Sequence, residues 1–363
     1  MNPASQKMRV RKLILSNFQA PGDIVMLTAA VRDLHLCYPG KFITDVRTTC
    51  PALWENNPFI TPLAVKEDNV ENIYCNYPLV HQSNAVQKHF VYGFIEFLNE
   101  RLKLKIEPTK IKGDIYLSEE EKQPHPAPLQ RRGSPNGISF QSEKKNDAYW
   151  LIVSGGKYDF TIKWWDAMRY QQVVDALKDK IQFVQVGEDK HHHPALNNVI
   201  DLRGKTNLRQ LIQLVHHAQG IVTPVSLLMH LAAAVASPSP PLQRRGESER
   251  YSFERTRPCV VIAGGREPVQ WEKYEGHQFL HTIGKLPCCA TGGCWKSRVK
   301  PLRDGSKNDK PENLCVDVVH DLPHCMDMIT AEDVIQSITF YLQKQENEIS
   351  EKTPALRASS GVE

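Results

Sequence analysis

The stretch Thr223-Pro-Val-Ser-Leu-Leu-Met-His-Leu-Ala-Ala-Ala-Val235 follows the apolar run Gly220-Ile-Val-Thr223, so a strand hands directly to a helix. Such a junction aims unpaired backbone N–H groups and a positive helix end at one point, which suits a phosphate. Ser154-Gly155-Gly156 closes a second apolar run, where the missing side chains let backbone approach a phosphate closely. Ala263-Gly-Gly-Arg-Glu-Pro268 repeats the strand-then-glycine pattern, and Arg266 could grip a phosphate with two N–H groups or simply be a loop arginine. Five of the nine cysteines, Cys288, Cys289, Cys294, Cys315 and Cys325, crowd one segment, which in a reducing compartment suggests metal binding or reactivity before disulfides. The triplet His191-His192-His193 is a poor metal site, because consecutive side chains diverge, and reads as a surface loop.

The elements that must hold these residues alternate in type along the chain. Strands are expected at 10–16, 41–46, 72–75, 149–153, 181–186, 198–201, 220–223 and 258–262. Helices are expected at 24–36, 89–102, 164–177 and 208–218, the last capped by Thr206, and in the segment after Ser226. Two such blocks imply two Rossmann-like, doubly wound α/β domains with the ligand in a central crevice at the strand carboxyl ends. The boundaries read 1–148 for the first domain, 149–329 for the second with a Cys-rich segment at 288–325, then a helix over 330–345 and a disordered tail over 346–363. The final helix opens on Thr330-Ala-Glu-Asp333, close to a capping box. Pro126-Ala-Pro-Leu-Gln-Arg-Arg-Gly133 recurs as Ser239-Pro-Pro-Leu-Gln-Arg-Arg-Gly246, and both copies read as low-complexity insertions, about 121–145 and 237–256.

At 363 residues with 41% apolar composition, the chain can bury two cores. A formal charge of +4 gives no support to nucleic-acid binding but allows weak attraction to anionic lipid, hence peripheral contact with the inner membrane face. With neither a long apolar run nor a secretory leader, the expectation is a cytoplasmic protein.

Several of these segments, in order, resemble glycosyltransferase family 9, the heptosyltransferase family. Gly22-Asp-Ile-Val-Met-Leu-Thr28 matches its Gly-Asp-x4-Thr pattern. The resemblance implies that Asp23 is the general base, with Gly22 and Thr28 on the acceptor side. A carboxylate in hydrogen-bond reach can take the proton of a sugar hydroxyl as that oxygen attacks, whereas the plainer role for Asp23 is to cap the helix. Lys163 matches the basic residue before the family's Trp and would neutralise the departing diphosphate; a solvated lysine is the alternative. Glu188, with Asp189 close behind, falls where the family places an acidic residue against the nucleotide. Ser226, Met229 and His230 match the donor-binding segment, although Val225 stands where an acidic residue is expected and Leu227-Leu228 replace Gly-Pro. His230 could equally be a structural histidine. Cys289-x4-Cys294 with Cys325-Met-Asp-Met-Ile resembles the cysteine pattern of the autotransporter heptosyltransferases, which implies zinc or iron on Cys289, Cys294, Cys315 and Cys325; reduced thiols are the alternative.

The resemblance therefore implies a GT-B-type enzyme that moves a sugar, heptose from ADP-heptose by family implication, to a glycan, lipopolysaccharide-core or protein hydroxyl, with no cofactor required for catalysis. The alternatives are a non-catalytic nucleotide- or sugar-binding protein that retains the fold, and a thiol–metal sensor built on the cysteines.

Overall fold

A computed structural model describes residues 10–64, 68–77, 80, 82–123, 148–235 and 256–358. The repeated Pro-Leu-Gln-Arg-Arg-Gly stretches and residues 359–363 lie outside the described residues.

The first half runs β1 (Arg11–Asn17), α1 (Pro21–Cys37), β2 (Phe42–Thr48), a 3-10 turn at Pro51–Trp54, β3 (Val70–Tyr74), α2 (Tyr92–Leu102) and α3 (Glu119–Lys122). Glu121 and Lys122, at the edge of the first expected insertion, thus close a helix. Its three strands form a parallel sheet in the order β2-β1-β3. The second half holds β4 (Tyr149–Ile152), a 3-10 segment at Tyr158–Lys163, α4 (Ala167–Leu177), β5 (Gln182–Gln185), β6 (Ile200–Asp201), α5 (Leu208–His217), β7 (Gly220–Pro224) and α6 (Leu227–Ala234). It continues through β8 (Cys259–Gly264), α7 (Val269–Glu272), β9 (His277–His281), the hairpin β10 (Val318–Val319) and β11 (Leu322–Pro323), α8 (His324–Asp327) and α9 (Ala331–Ala358).

The six strands of the second sheet are all parallel and ordered β6-β5-β4-β7-β8-β9. Counted from β4, this is the 3-2-1-4-5-6 order of a dinucleotide-type α/β sheet, whose direction of winding reverses between β4 and β7. Connections on either side of that switch point leave in opposite directions and open a crevice at the carboxyl ends. Ser154–Gly156 and Pro224–Ser226, two of the segments picked out for phosphate chemistry, end the two strands that flank it.

Every residue of β4, β7 and β8 is buried, as expected for central parallel strands covered on both faces. One face packs Trp150, Ile152, Phe183, Val222 and Ile262 against α4 and α9 through Tyr170, Val174, Val334 and Ile338. The other packs on α5 and α6, and through them reaches the first half. Helix α1 lies between the small sheet and α6, and Ile24 to Leu34 are buried without a break. This explains why Ile24-Val-Met-Leu-Thr-Ala-Ala-Val31 lacks a polar stripe: a helix packed all round has no solvent face. One apolar cluster runs from Leu13 and Leu15 through α1 to Leu231 and Val261, so the two halves share a core.

Polar ties also hold the halves together. Arg209 on α5 donates to Glu121 at 2.5 Å and to the carbonyls of Tyr116 at 2.5 Å and Ala52 at 3.3 Å. Asn84 exchanges two hydrogen bonds with Gly293, at 2.9 and 2.8 Å. Two capping residues are set by local chemistry: Asn207, not Thr206, caps α5 by exchanging bonds with Gln210, and Thr330 with Asp333 forms the capping box of α9.

Candidate active site

Asp23 occupies the third position of α1. Its Oδ2 accepts the Ala20 N–H at 2.9 Å, so it caps the helix as Asp commonly does. The cap does not exhaust the carboxylate, because Oδ1 accepts the hydroxyl of Tyr77, which arrives from the connection after β3. Burial raises the Asp23 pKa above the ordinary carboxylate value, against the opposing pull of the Tyr77 hydroxyl, the Ala20 N–H and the charges of Lys163 and Lys157. Gly22 is there for contact: a Cβ at that position would lie 2.8 Å from His230 Cδ2. The Gly-Asp pair therefore presses the start of α1 onto the first turns of α6.

His230 is buried on α6. Its Nδ1 lies 2.6 Å from the Tyr274 hydroxyl, which itself donates to the Met26 sulfur at 3.3 Å. Nδ1 and the hydroxyl share this hydrogen bond, and Nε2 is the ring nitrogen that faces α7. Glu272 Oε2 stands 3.6 Å from that nitrogen and has no hydrogen-bond partner. Burial, reinforced by the nearby Glu267 charge, pushes Glu272 up to about 8, while burial pushes His230 down to about 3. At neutral pH this pair is a carboxylic acid facing a neutral imidazole, not an ion pair. Ser226 caps α6 through Leu228 N–H at 3.3 Å and shares a 2.8 Å hydrogen bond with Thr223. Met229 is wholly buried.

Lys163 ends the 3-10 segment after β4 and reaches Glu267 Oε1 at 2.6 Å and the Val225 carbonyl at 3.4 Å. Glu267, 2% exposed, also accepts from Arg266. Desolvation would raise its pKa, but these two cations outweigh burial and hold it below the ordinary value. The Arg266 guanidinium lies over the Phe160 and Trp295 rings, 4.9 and 5.1 Å from their centroids, and donates to the Lys296 carbonyl at 2.6 Å. One buried carboxylate thus sits between two cations picked out for phosphate binding, and a diphosphate arriving at Lys163 would share it with Glu267.

The other candidates lie apart from this centre or are tied up locally. Thr28 is buried, its hydroxyl donating to the Val25 carbonyl at 2.6 Å and accepting Asp114 N–H at 2.9 Å. Gly155 has φ +125°, and a side chain there would collide with the His192 carbonyl, which accepts Gly156 N–H at 2.8 Å. The His triplet folds back over the ends of β4 and β5, with His192 stacked on Trp164 at 4.0 Å. Glu188 is exposed in the same loop, 3.5 Å from His191. Cys289 and Cys325 flank Gly264-Gly265, yet Cys289 donates to the Thr282 carbonyl and Cys315 to that of Asp317, as protonated thiols do. Burial raises the pKa of Cys294, Cys315 and Cys325, and among the described residues no group of three or more His, Cys, Asp or Glu side chains could hold a metal ion. As arranged, the cysteines do not fit zinc or iron.

Tyr77, Glu267, Glu272 and Tyr274 were not among the candidates read from the sequence. Glu267 adjoins Arg266 and was within reach of that reading; the others carry no local pattern, because their partners are remote in sequence.

A doubly wound domain with its switch point facing a second parallel α/β unit is the two-domain arrangement of the GT-B fold. Residues 65–242 match the model of glycosyltransferase family 9 (heptosyltransferase). This stretch is a domain of that family, and the match supports reading the chain as a glycosyltransferase. Solved structures share the fold along the chain. The family 9 glycosyl transferase of Veillonella parvula DSM 2008 has 13% identity and a TM-score of 0.56, with 92% of this chain and 98% of that one covered. The E. coli ADP-heptose lps heptosyltransferase II has 15% identity and a TM-score of 0.54, with 93% and 100% covered. The iron-containing dodecameric glycosyltransferase TibC of enterotoxigenic E. coli H10407 has 15% identity and a TM-score of 0.55, with 93% and 78% covered. No curated protein matches the chain.

Proposed function

We propose that this chain transfers heptose from ADP-heptose to a hydroxyl of a glycan, lipopolysaccharide-core or protein acceptor, with Asp23 as general base. The observation that carries the reading is the position of Asp23: a part-buried carboxylate at the junction of the halves, within electrostatic reach of Lys163. The choice of donor is supported by the family match and by the fold relatives, one described as an ADP-heptose heptosyltransferase and another, TibC, in complex with ADP-D-β-D-heptose.

In this reading the diphosphate lies along the switch point, against Ser226, the start of α6 and Lys163, with Gly156 and Arg266 nearby. The acceptor approaches over Gly22 and the carboxyl end of the small sheet, where Ser16, Phe18, Arg47, Thr48 and Asn72 line an open depression. The acceptor oxygen attacks the anomeric carbon as Asp23 removes its proton, and the bond to the diphosphate breaks with its electron pair leaving on the phosphate oxygen. Lys163, freed in part from Glu267, stabilises that developing charge. No step requires a metal. Among the described residues no helix is long and apolar enough to cross a membrane, and we place the enzyme in the cytoplasm with peripheral contact to the inner membrane face.

A thermal-shift and transfer screen against nucleotide-sugars tests the donor. ADP-heptose should raise the melting temperature by mass action. Stabilisation by a different nucleotide-sugar, with none from ADP-heptose, would overturn the choice of donor.

A further inference from the structure

We propose that Tyr77 is a positioning residue for the base: its hydroxyl donates to Asp23 Oδ1, holding the carboxylate ionised and aimed into the junction. This rests on the reading of Asp23 as general base.

The carboxylate is gripped at both oxygens, by Ala20 N–H at the start of its own helix and by Tyr77 from the connection after β3. The Tyr77 ring has little freedom to leave. It sits edge-on between Phe90 and Phe94, with centroids 4.9 and 5.0 Å away, and both of those rings are buried in the shared core. Gly93 on α2 makes room for it, since a Cβ there would lie 2.7 Å from Tyr77 Cβ. Each carboxylate oxygen keeps a second lone pair, so neither bond prevents Asp23 from accepting a substrate proton.

Besides Tyr77, the groups facing Asp23 come from three other elements. Lys157 and Lys163, from the segment after β4, favour its ionised form. Glu272 on α7 stays protonated until the pH nears 8 and adds little negative charge below it. His230 on α6, against Gly22, is neutral. Burial opposes ionisation and outweighs the hydrogen bonds and nearby cations together. Against that burial, a hydrogen bond to the charged form increases the fraction of the base that is ionised on the acid side of its titration.

Tyr77→Phe keeps the ring and removes the hydroxyl. A hydrogen bond to a charged group corresponds to about 1–2 pH units of carboxyl titration. The acid limb of the kcat/KM–pH profile should move up by that amount, with rates at a fixed pH on the limb falling about 10–100-fold, the high-pH plateau retained and the donor KM unchanged. Gly93→Ala, which crowds the ring, should move the limb in the same direction by less. Carboxyl-13C NMR of aspartate-labelled protein gives a readout independent of turnover, the Asp23 signal being the one lost in Asp23→Asn. Its midpoint should rise in Tyr77→Phe. An unmoved midpoint overturns the proposal, as does a midpoint that moves while the rate limb stays put, because Tyr77 would then hold a carboxylate the reaction does not use. Absence of transfer by the wild type would remove Asp23 as base; the NMR midpoint separately judges the hydrogen bond.

Discussion

Replacing Glu272 with Gln should make the protein more stable at neutral pH and flatten its stability profile. Glu272 is 6% exposed, its Oε2 has no partner, and its pKa stands at about 8 against an ordinary 4.5. An acid whose folded pKa is raised keeps a proton that the unfolded chain releases. Below about 4.5 both states are protonated and the group contributes nothing to the pH dependence. Between 4.5 and 8 stability falls as pH rises, by up to about 1.4 kcal/mol per pH unit for one proton, and above 8 the loss is complete. From pH 5.5 to 7.5 the wild type should therefore lose about 2–3 kcal/mol more than Glu272→Gln, all other titrating groups being common to both. Gln also supplies an N–H that can face His230 Nε2, so the variant keeps the polar contact. Denaturant unfolding at pH 5.5, 6.5 and 7.5 measures the difference. Parallel stability curves for the two proteins would show that Glu272 ionises normally in the fold, and the acid-facing-imidazole description would fail.

Two further substitutions test how the halves meet. Gly22→Ala places a methyl group against the His230 ring; activity should drop and stability fall by about 1–3 kcal/mol, the usual cost of overpacking, as read by unfolding curves and kcat. Arg209→Ala removes a guanidinium that is 11% exposed, and with it the cation paired with Glu121 and the donor to the Tyr116 and Ala52 carbonyls. We expect a loss of about 1–3 kcal/mol and faster proteolysis near residue 121, and an unchanged cleavage pattern would show that the shared core alone joins the halves.

The fold was largely legible because its signals are local. The buried runs at Tyr149–Ile152, Gly220–Pro224 and Cys259–Gly264 are apolar through and through, and the turns carry glycine where backbone must come close. The edge strand His277–His281 escaped notice because its His and Gln residues break the apolar pattern. At the site, Gly22-Asp23 was singled out by the family resemblance, and the strand-to-helix junction at Ser226 by the apolar run before it. The acid at Glu272, the Tyr274 bridge to His230 and the Tyr77 bond to Asp23 were not, since each depends on two elements far apart in sequence brought together by the shared core. The cysteines differ again: Cys289, Cys294, Cys315 and Cys325 come within electrostatic reach of one another, yet carbonyls accept from two of the thiols and, among the described residues, no group of three or more side chains is set to hold an ion.

The central claim is that Asp23 takes the acceptor proton in sugar transfer from ADP-heptose. Its most direct test compares wild type with Asp23→Asn for donor binding and for transfer. The account predicts that both proteins are stabilised by ADP-heptose and that the variant loses about 10²–10⁴-fold in kcat. Transfer by Asp23→Asn at the wild-type rate would contradict it.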